Sequence, residues 1–168
     1  MSRIAPRIAR LLLVLLASAW NIEAQQPARS DEADTEIVET KLCTLRLAKT
    51  SGDLVGILWK QPSLEIIHEP RLGENFRLLL PRPGYEAAYF ISRDQHVNRI
   101  ETSPDGVICH YDSLRREGEE LPVKVRYQIR VVSERLEFSI EVDNPTKRPL
   151  AEVVFGMSGG HARIEESY

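Results

Sequence analysis

"LPVKVRYQIRVV" (121–132), followed after a short break by "LEFSIEVD" (136–143), decides the fold. In the first segment Val123, Val125, Tyr127, Ile129 and Val131 alternate with Lys124, Arg126, Gln128 and Arg130. In the second, Leu136, Phe138, Ile140 and Val142 alternate with Glu137, Ser139, Glu141 and Asp143. A period of two puts one set of side chains on each face of an extended strand, so both segments read as half-buried strands. Their wet faces carry opposite charges. Folding back at Ser133-Glu134 sets Arg130 opposite Glu137, Arg126 opposite Glu141 and Lys124 opposite Asp143. The same register stacks Val131 on Leu136, Ile129 on Phe138, Tyr127 on Ile140 and Val125 on Val142. A slip of one residue would bury the charges, which specifies this pairing far more strongly than the ~0.2–1 kcal/mol of any one cross-strand pair.

Working outward, helical spacing is nearly absent after residue 36. "IVETKLCTLRLA" (37–48) reads as one strand, turning at "KTSGD" into "LVGILWK" (54–60). "LEIIHE" (64–69), "FRLLL" (76–80), "AAYFIS" (87–92), "VNRIETS" (97–103), "GVICHYDSL" (106–114) and "LAEVVFG" (150–156) continue the series. The separators "QPS", "SPDG", "REGEE" and "NPTKRP" are rich in turn formers. About nine or ten short strands in succession predict an all-β, mostly antiparallel β-sandwich.

The N-terminus has another character. Arg3, Arg7 and Arg10 precede the apolar run "LLLVLLASAW" (11–20), and Ala24 offers a small residue before a cut. This is the pattern of a secretory signal peptide over residues 1–24, too short for a membrane span of about 20 apolar residues. Residues 25–36 are polar and aperiodic and read as a disordered lead-in. Residues 37–157 then form one β-sandwich domain, and 158–168 a flexible C-terminal tail. The expected location is secreted or periplasmic, with no membrane association after cleavage. The 22 basic and 25 acidic residues of the full chain become 19 and 24 once Arg3, Arg7, Arg10 and Glu23 leave with the signal. A net −5 without a basic stripe argues against nucleic acid as partner.

Cys43 and Cys109 permit a disulfide in an exported chain, but each alternates with apolar residues on one strand face. They read as two buried thiols. The four histidines, His68, His96, His110 and His161, are dispersed and lack metal-ligand spacing. No phosphate loop and no "GxSxG" occurs, so no metal and no cofactor is implied. His110 and Asp112, two apart on one strand, form the one carboxylate–histidine pair to inspect. A polar outer face is the preferred reading of the pair.

"HEPRLGEN" (68–75) joins two strands, with Pro70 favouring an extended approach and Gly73 a sharp turn. Its charges read first as solvated and second as a ligand edge, since sites collect on loops held by a rigid sheet. On the second reading Arg71 and Arg77 donate forked hydrogen bonds, Glu74 accepts from hydroxyls, and Tyr85 and Tyr89 stack on the apolar face of a pyranose. No catalytic residue is assigned.

"GDLVGILWK" (52–60), "LEIIHEPRLGENFRLLLP" (64–81), "PDGVICHYDSL" (104–114) and "LEFSIEVDNPTKRPLAEVVF" (136–155) together carry a family likeness. Over roughly residues 40–157 the chain resembles the N-terminal β-sandwich of large secreted carbohydrate-active enzymes, the galactose mutarotase-like supersandwich. The matching residues are Gly52, Leu54 and Val55; Phe76 and Pro81; Val142 and Asn144; and Glu152, Val153 and Phe155. The resemblance implies a supersandwich and a glycoside hydrolase setting. Two features depart from it. Gly156 stands where many relatives have proline, and relatives continue into further strands and usually a catalytic barrel. On that comparison the sandwich is incomplete at its C-terminus. His161 invites comparison with the family's catalytic histidine, but the aromatic motif around it is missing and the role does not carry over.

Three functions follow as expectations. The first is an exported, non-catalytic module that binds carbohydrate or supports a glycoside hydrolase. The second is the N-terminal part of a glycosidase or mutarotase-like enzyme whose catalytic portion, a further domain or subunit, lies elsewhere. The third is a protein–protein interaction domain.

Overall fold

The structure, a computed structural model, describes residues 34–67, 73–84 and 86–157. Within them the strands are β1 (Thr35–Glu39), β2 (Cys43–Ala48), β3 (Leu54–Trp59), β4 (Leu64–Glu65), β5 (Glu74–Leu79), β6 (Tyr89–Ile91) and β7 (Arg99–Ser103). They continue with β8 (Gly106–Tyr111), β9 (Leu114–Arg116), β10 (Glu119–Leu121), β11 (Lys124–Val132), β12 (Arg135–Asp143) and β13 (Glu152–Met157). A 3-10 turn spans Ser92–Asp94. The architecture is all-β and antiparallel. One sheet runs β1-β2-β3-β4, a second β12-β11-β8-β7 and a third β13-β5-β6, while β9 and β10 form a separate hairpin.

The charged hairpin takes the register that its alternation specifies, from Lys124 opposite Asp143 to Val131 opposite Leu136. Arg126 donates to Glu141 across the strands at 2.8 Å. Glu137 is bonded instead by Arg135 on its own strand, at 2.6 Å. The loop is two residues, with Ser133 at φ +57°. On the inner face Val125, Tyr127 and Ile129 are buried. Removing each of these side chains from water contributes about 1.5–3 kcal/mol, so the row anchors its sheet far more firmly than the surface charges do.

All three sheets feed one core. β1 to β3 contribute Val38, Cys43, Leu45, Leu47, Leu54 and Ile57; β5 and β6 contribute Phe76, Leu78 and Phe90; β8 contributes Val107, Cys109 and Tyr111. The Phe76 and Tyr111 rings meet edge to face at 5.1 Å, joining the second and third sheets. Both cysteines are free and buried. Burial holds the Cys109 thiol at about 12 and also raises that of Cys43.

The corner between the sheets is pinned by polar groups. Asp53, 2% exposed, accepts from Ser92 Oγ at 2.5 Å and from Ser51 Oγ at 2.8 Å. The Asn75 amide N–H is shared between Asp53 Oδ1 (3.0 Å) and Ser92 Oγ (2.8 Å). The Asn75 side chain accepts from the Leu54 N–H and donates to the Gly52 carbonyl. Tyr111 Oη closes the set on the Ser51 carbonyl at 2.7 Å. These bonds replace water for groups that would otherwise be buried without partners. Burial is the largest influence on the Asp53 carboxyl and raises its pKa.

Several boundaries differ from expectation. The segment 37–48 is two strands, because the Thr40 hydroxyl donates to the Cys43 carbonyl (2.7 Å) and accepts from its N–H (3.1 Å), closing a turn. Thr35 and Glu36, assigned to the lead-in, pair with Ala48 and Leu47 in β1. The segment 106–114 breaks after Tyr111, and "REGEE" holds the turn of the β9–β10 hairpin as well as the start of its return strand. Of "LEIIHE", Leu64 and Glu65 pair with β3, while His68 and Glu69 lie outside the described residues. The signal segment, most of the lead-in and the 158–168 tail also lie outside them. Among the described residues no helix is long and apolar enough to cross a membrane.

Candidate functional site

The β9–β10 hairpin builds one wall of an open cleft. Arg116 pairs with Glu119 across a two-residue loop, Glu117-Gly118, and both loop residues have positive φ, +49° and +79°. Positive φ at both centres is the type I′ geometry that matches strand twist, and "EG" supplies the glycine at the second position. Leu114 and Leu121 are buried beneath the hairpin. Gln95 fixes its position: its Oε1 accepts from the Arg115 N–H at 2.6 Å and its Nε2 donates to the Arg115 carbonyl at 3.0 Å. The same Nε2 donates to the Ile91 carbonyl at 2.9 Å, tying the hairpin to β6.

The opposite wall is β6 and the 3-10 turn. Tyr89, Ile91 and Asp94 face residues 115–120 across an open cleft of about 870 Å³. Tyr89 as a residue is 39% exposed. Around the hairpin the guanidiniums of Arg82, Arg115, Arg116 and Arg148 each meet a carboxylate. Arg115 reaches Glu120 at 3.2 Å, Arg116 reaches Glu117 at 3.3 Å, and Arg148 bonds Glu119. Arg82 lies 3.5 Å from both Glu117 and Glu119 and 3.3 Å from Glu86. The hydrogen bond from Arg148 lowers the Glu119 pKa, and that from Ser113, then Arg115, lowers that of Glu120. Both are displaced in the direction of fixed anionic acceptors. A general acid for glycoside cleavage needs displacement the other way. The raised carboxyl, Asp53, is not among the residues lining this cleft.

Of the five residues expected to contact sugar, Tyr89 lines the cleft. Arg77 lies over one face of the Tyr89 ring, its guanidinium carbon 6.0 Å from the centroid. Its fork is engaged by Glu74, through Nε at 2.9 Å and Nη2 at 3.0 Å. Glu74 is 3% exposed, so its two oxygens face that arginine and not the cleft. Arg71 and Tyr85 lie outside the described residues, as does His161.

His110 does not pair with Asp112. Asp112 follows the end of β8, and its N–H donates to the Asn98 side chain at 2.7 Å. The His110 ring instead lies 3.5 Å from Glu101 and 3.4 Å from Arg99 on the neighbouring strand. Arg99 is the direct cross-strand partner of His110, and Glu101 reaches the ring from the diagonal position two residues on. Among the described residues no group of three or more His, Cys, Asp or Glu side chains is placed to hold a metal ion.

The hairpin residues of the cleft carry a weak sequence signal, the dense charge of "LRREGEEL" (114–121) around a glycine. Gln95 carries none, since a lone glutamine between strands has no pattern that predicts a clamp.

No family model matches this chain, and no curated protein or solved structure is significantly similar to it.

Proposed function

We propose that this chain is an exported, non-catalytic β-sandwich module that holds carbohydrate against Tyr89, in support of a glycoside hydrolase domain or subunit. The observation that carries this reading is the half-exposed Tyr89 in a cleft bordered by locked carboxylate–guanidinium pairs. A pyranose presents an apolar C–H face and a rim of hydroxyls. The ring suits the first, and charged acceptors and donors suit the second. Because Gln95 and the ion pairs already hold the hairpin, little ordering is required of the protein on binding. The galactose mutarotase-like resemblance points to the same ligand class, and the signal-like N-terminus to the same secreted or periplasmic setting.

Calorimetric titration with a panel of plant and bacterial polysaccharides tests the reading. Saccharide binding that weakens at least about tenfold in Tyr89→Ala is expected, the loss usual for an aromatic anchor. Absence of binding to every glycan, or unchanged affinity in the variant, removes it.

A further inference from the structure

Among the described residues, the core is incompletely covered along β12 and β13. In the second sheet Val125, Tyr127 and Ile129 of β11 are at most 2% exposed, yet their direct partners Val142, Ile140 and Phe138 on β12 are only half-buried. The third sheet repeats the pattern. Phe76 and Leu78 of β5 are fully buried, while Phe155 and Val153, directly opposite them on β13, are 44% and 38% exposed. Cross-strand partners share a sheet face, so Val153 and Phe155 point to the core side of their sheet without being covered. β12 and β13 are each the last strand of their sheet, and they approach one another. The open side is therefore a continuous apolar lip between two sheet edges.

The edge of β12 is guarded only by the charges of its outer face. It runs nine residues in unbroken register with β11 and contains no proline, glycine or lysine. Natural edge strands are normally shortened, bulged or charged inward, since a long regular edge recruits other strands. Its outer face carries Glu137, Glu141 and Asp143 against one base, Arg135, which bonds Glu137. On its paired side β12 already shows what it accepts: β11 offers Val125, Tyr127 and Ile129 inward, with Lys124, Arg126 and Arg130 outward.

We propose that the free edge of β12 receives an extended segment of a partner polypeptide, with apolar side chains at alternate positions and lysine or arginine between them. The segment extends the second sheet by one strand, its basic residues meet the β12 carboxylates, and its apolar residues cover Phe138, Ile140 and Phe155. This is strand addition, in which main-chain bonds give affinity and alternate side chains give specificity. It does not depend on the carbohydrate reading, because none of these residues lines the Tyr89 cleft.

A fluorescent peptide with the sequence of residues 123–132, VKVRYQIRVV, serves as the probe in anisotropy titrations against the intact chain. A second peptide with glutamate at its three basic positions is the comparison. Saturable binding of the basic peptide is expected, at least about tenfold tighter than that of the acidic one. Phe155→Lys, at an exposed position that leaves the core intact, is expected to weaken it by a similar factor. Equal affinity for both peptides, or none for either, overturns the proposal. So does a dimer in sedimentation that Phe155→Lys dissociates, because the edge is then filled by a second copy. Binding that emerges only after removal of residues 158–168 also overturns it, because the chain then covers its own edge.

Discussion

Replacing Asp53 separates two roles that its burial combines. The carboxylate accepts from Ser51 Oγ (2.8 Å), Ser92 Oγ (2.5 Å) and the Asn75 N–H (3.0 Å), at 2% exposure. Asp53→Ala removes all three acceptances. The Asn75 N–H keeps Ser92 Oγ at 2.8 Å, so the net loss is that of one to two buried groups left without partners. At ~1–3 kcal/mol each, destabilisation of about 2–5 kcal/mol is expected. Asp53→Asn behaves differently. Its carbonyl oxygen keeps Asn75 and Ser92, its amide donates to Ser51 Oγ, and the buried charge is gone, so stability near neutrality stays within about 1 kcal/mol of the parent or rises. The pH dependence has a definite sign. Burial raises the folded-state pKa above the ordinary 3.8, so the folded chain holds this proton more tightly than the unfolded one. The associated stability is fully present below the unfolded pKa and is lost as pH rises through the folded pKa. Urea unfolding of parent and Asp53→Asn, at about pH 3.5 and about pH 7, should show the variant gaining on the parent as pH increases. Equal damage from Asn and Ala, or a parent–Asn difference that does not move with pH, would refute the reasoning.

Two backbone predictions use the same denaturation assay. Gly106 opens β8 at φ +140°, and a Cβ there would lie 2.0 Å from the Ile129 carbonyl oxygen. Gly118, in the cleft hairpin at φ +79°, has nothing within 4 Å. Gly106→Ala must force β8 from β11 and is expected to cost at least about 3 kcal/mol, against about 1–2 kcal/mol of simple left-handed strain for Gly118→Ala; the reverse order would be inconsistent with the sheet described. Ser133 at φ +57° holds the first position of the β11–β12 turn, where glycine is unstrained. Ser133→Gly should therefore raise the unfolding midpoint, by up to about 1 kcal/mol after the entropy of the freer unfolded chain is subtracted.

What the sequence revealed and what it hid have distinct physical causes. The register of β11 and β12 was legible because nine consecutive residues alternate in both hydrophobicity and charge, and a single slip violates every position. The two buried thiols were legible for the same reason, each lying in phase with apolar neighbours. The break at Thr40 was not, because "IVETKLCTLRLA" alternates acceptably straight through it, and the decisive bonds run from one threonine hydroxyl to the Cys43 backbone. Nor was the polar pin: Asp53, Asn75 and Ser92 are separated by 17 to 39 residues, and only the packing of three sheets joins them. The cleft was half legible. Tyr89 stands out as an aromatic beside a charged loop, but the loop setting that makes Glu74 look like a ligand group misleads, because β5 begins at that residue and turns it onto Arg77. The facing wall came from a hairpin whose three-residue strands are too short to show a period.

The unjoined sulfurs at Cys43 and Cys109 have a consequence for how this chain matures. No covalent staple waits on an oxidant, and a thiol held at about 12 gives almost no thiolate for exchange at neutral pH. The folded chain therefore holds no disulfide for a reductant to break, and reaching its native state calls for no disulfide isomerase.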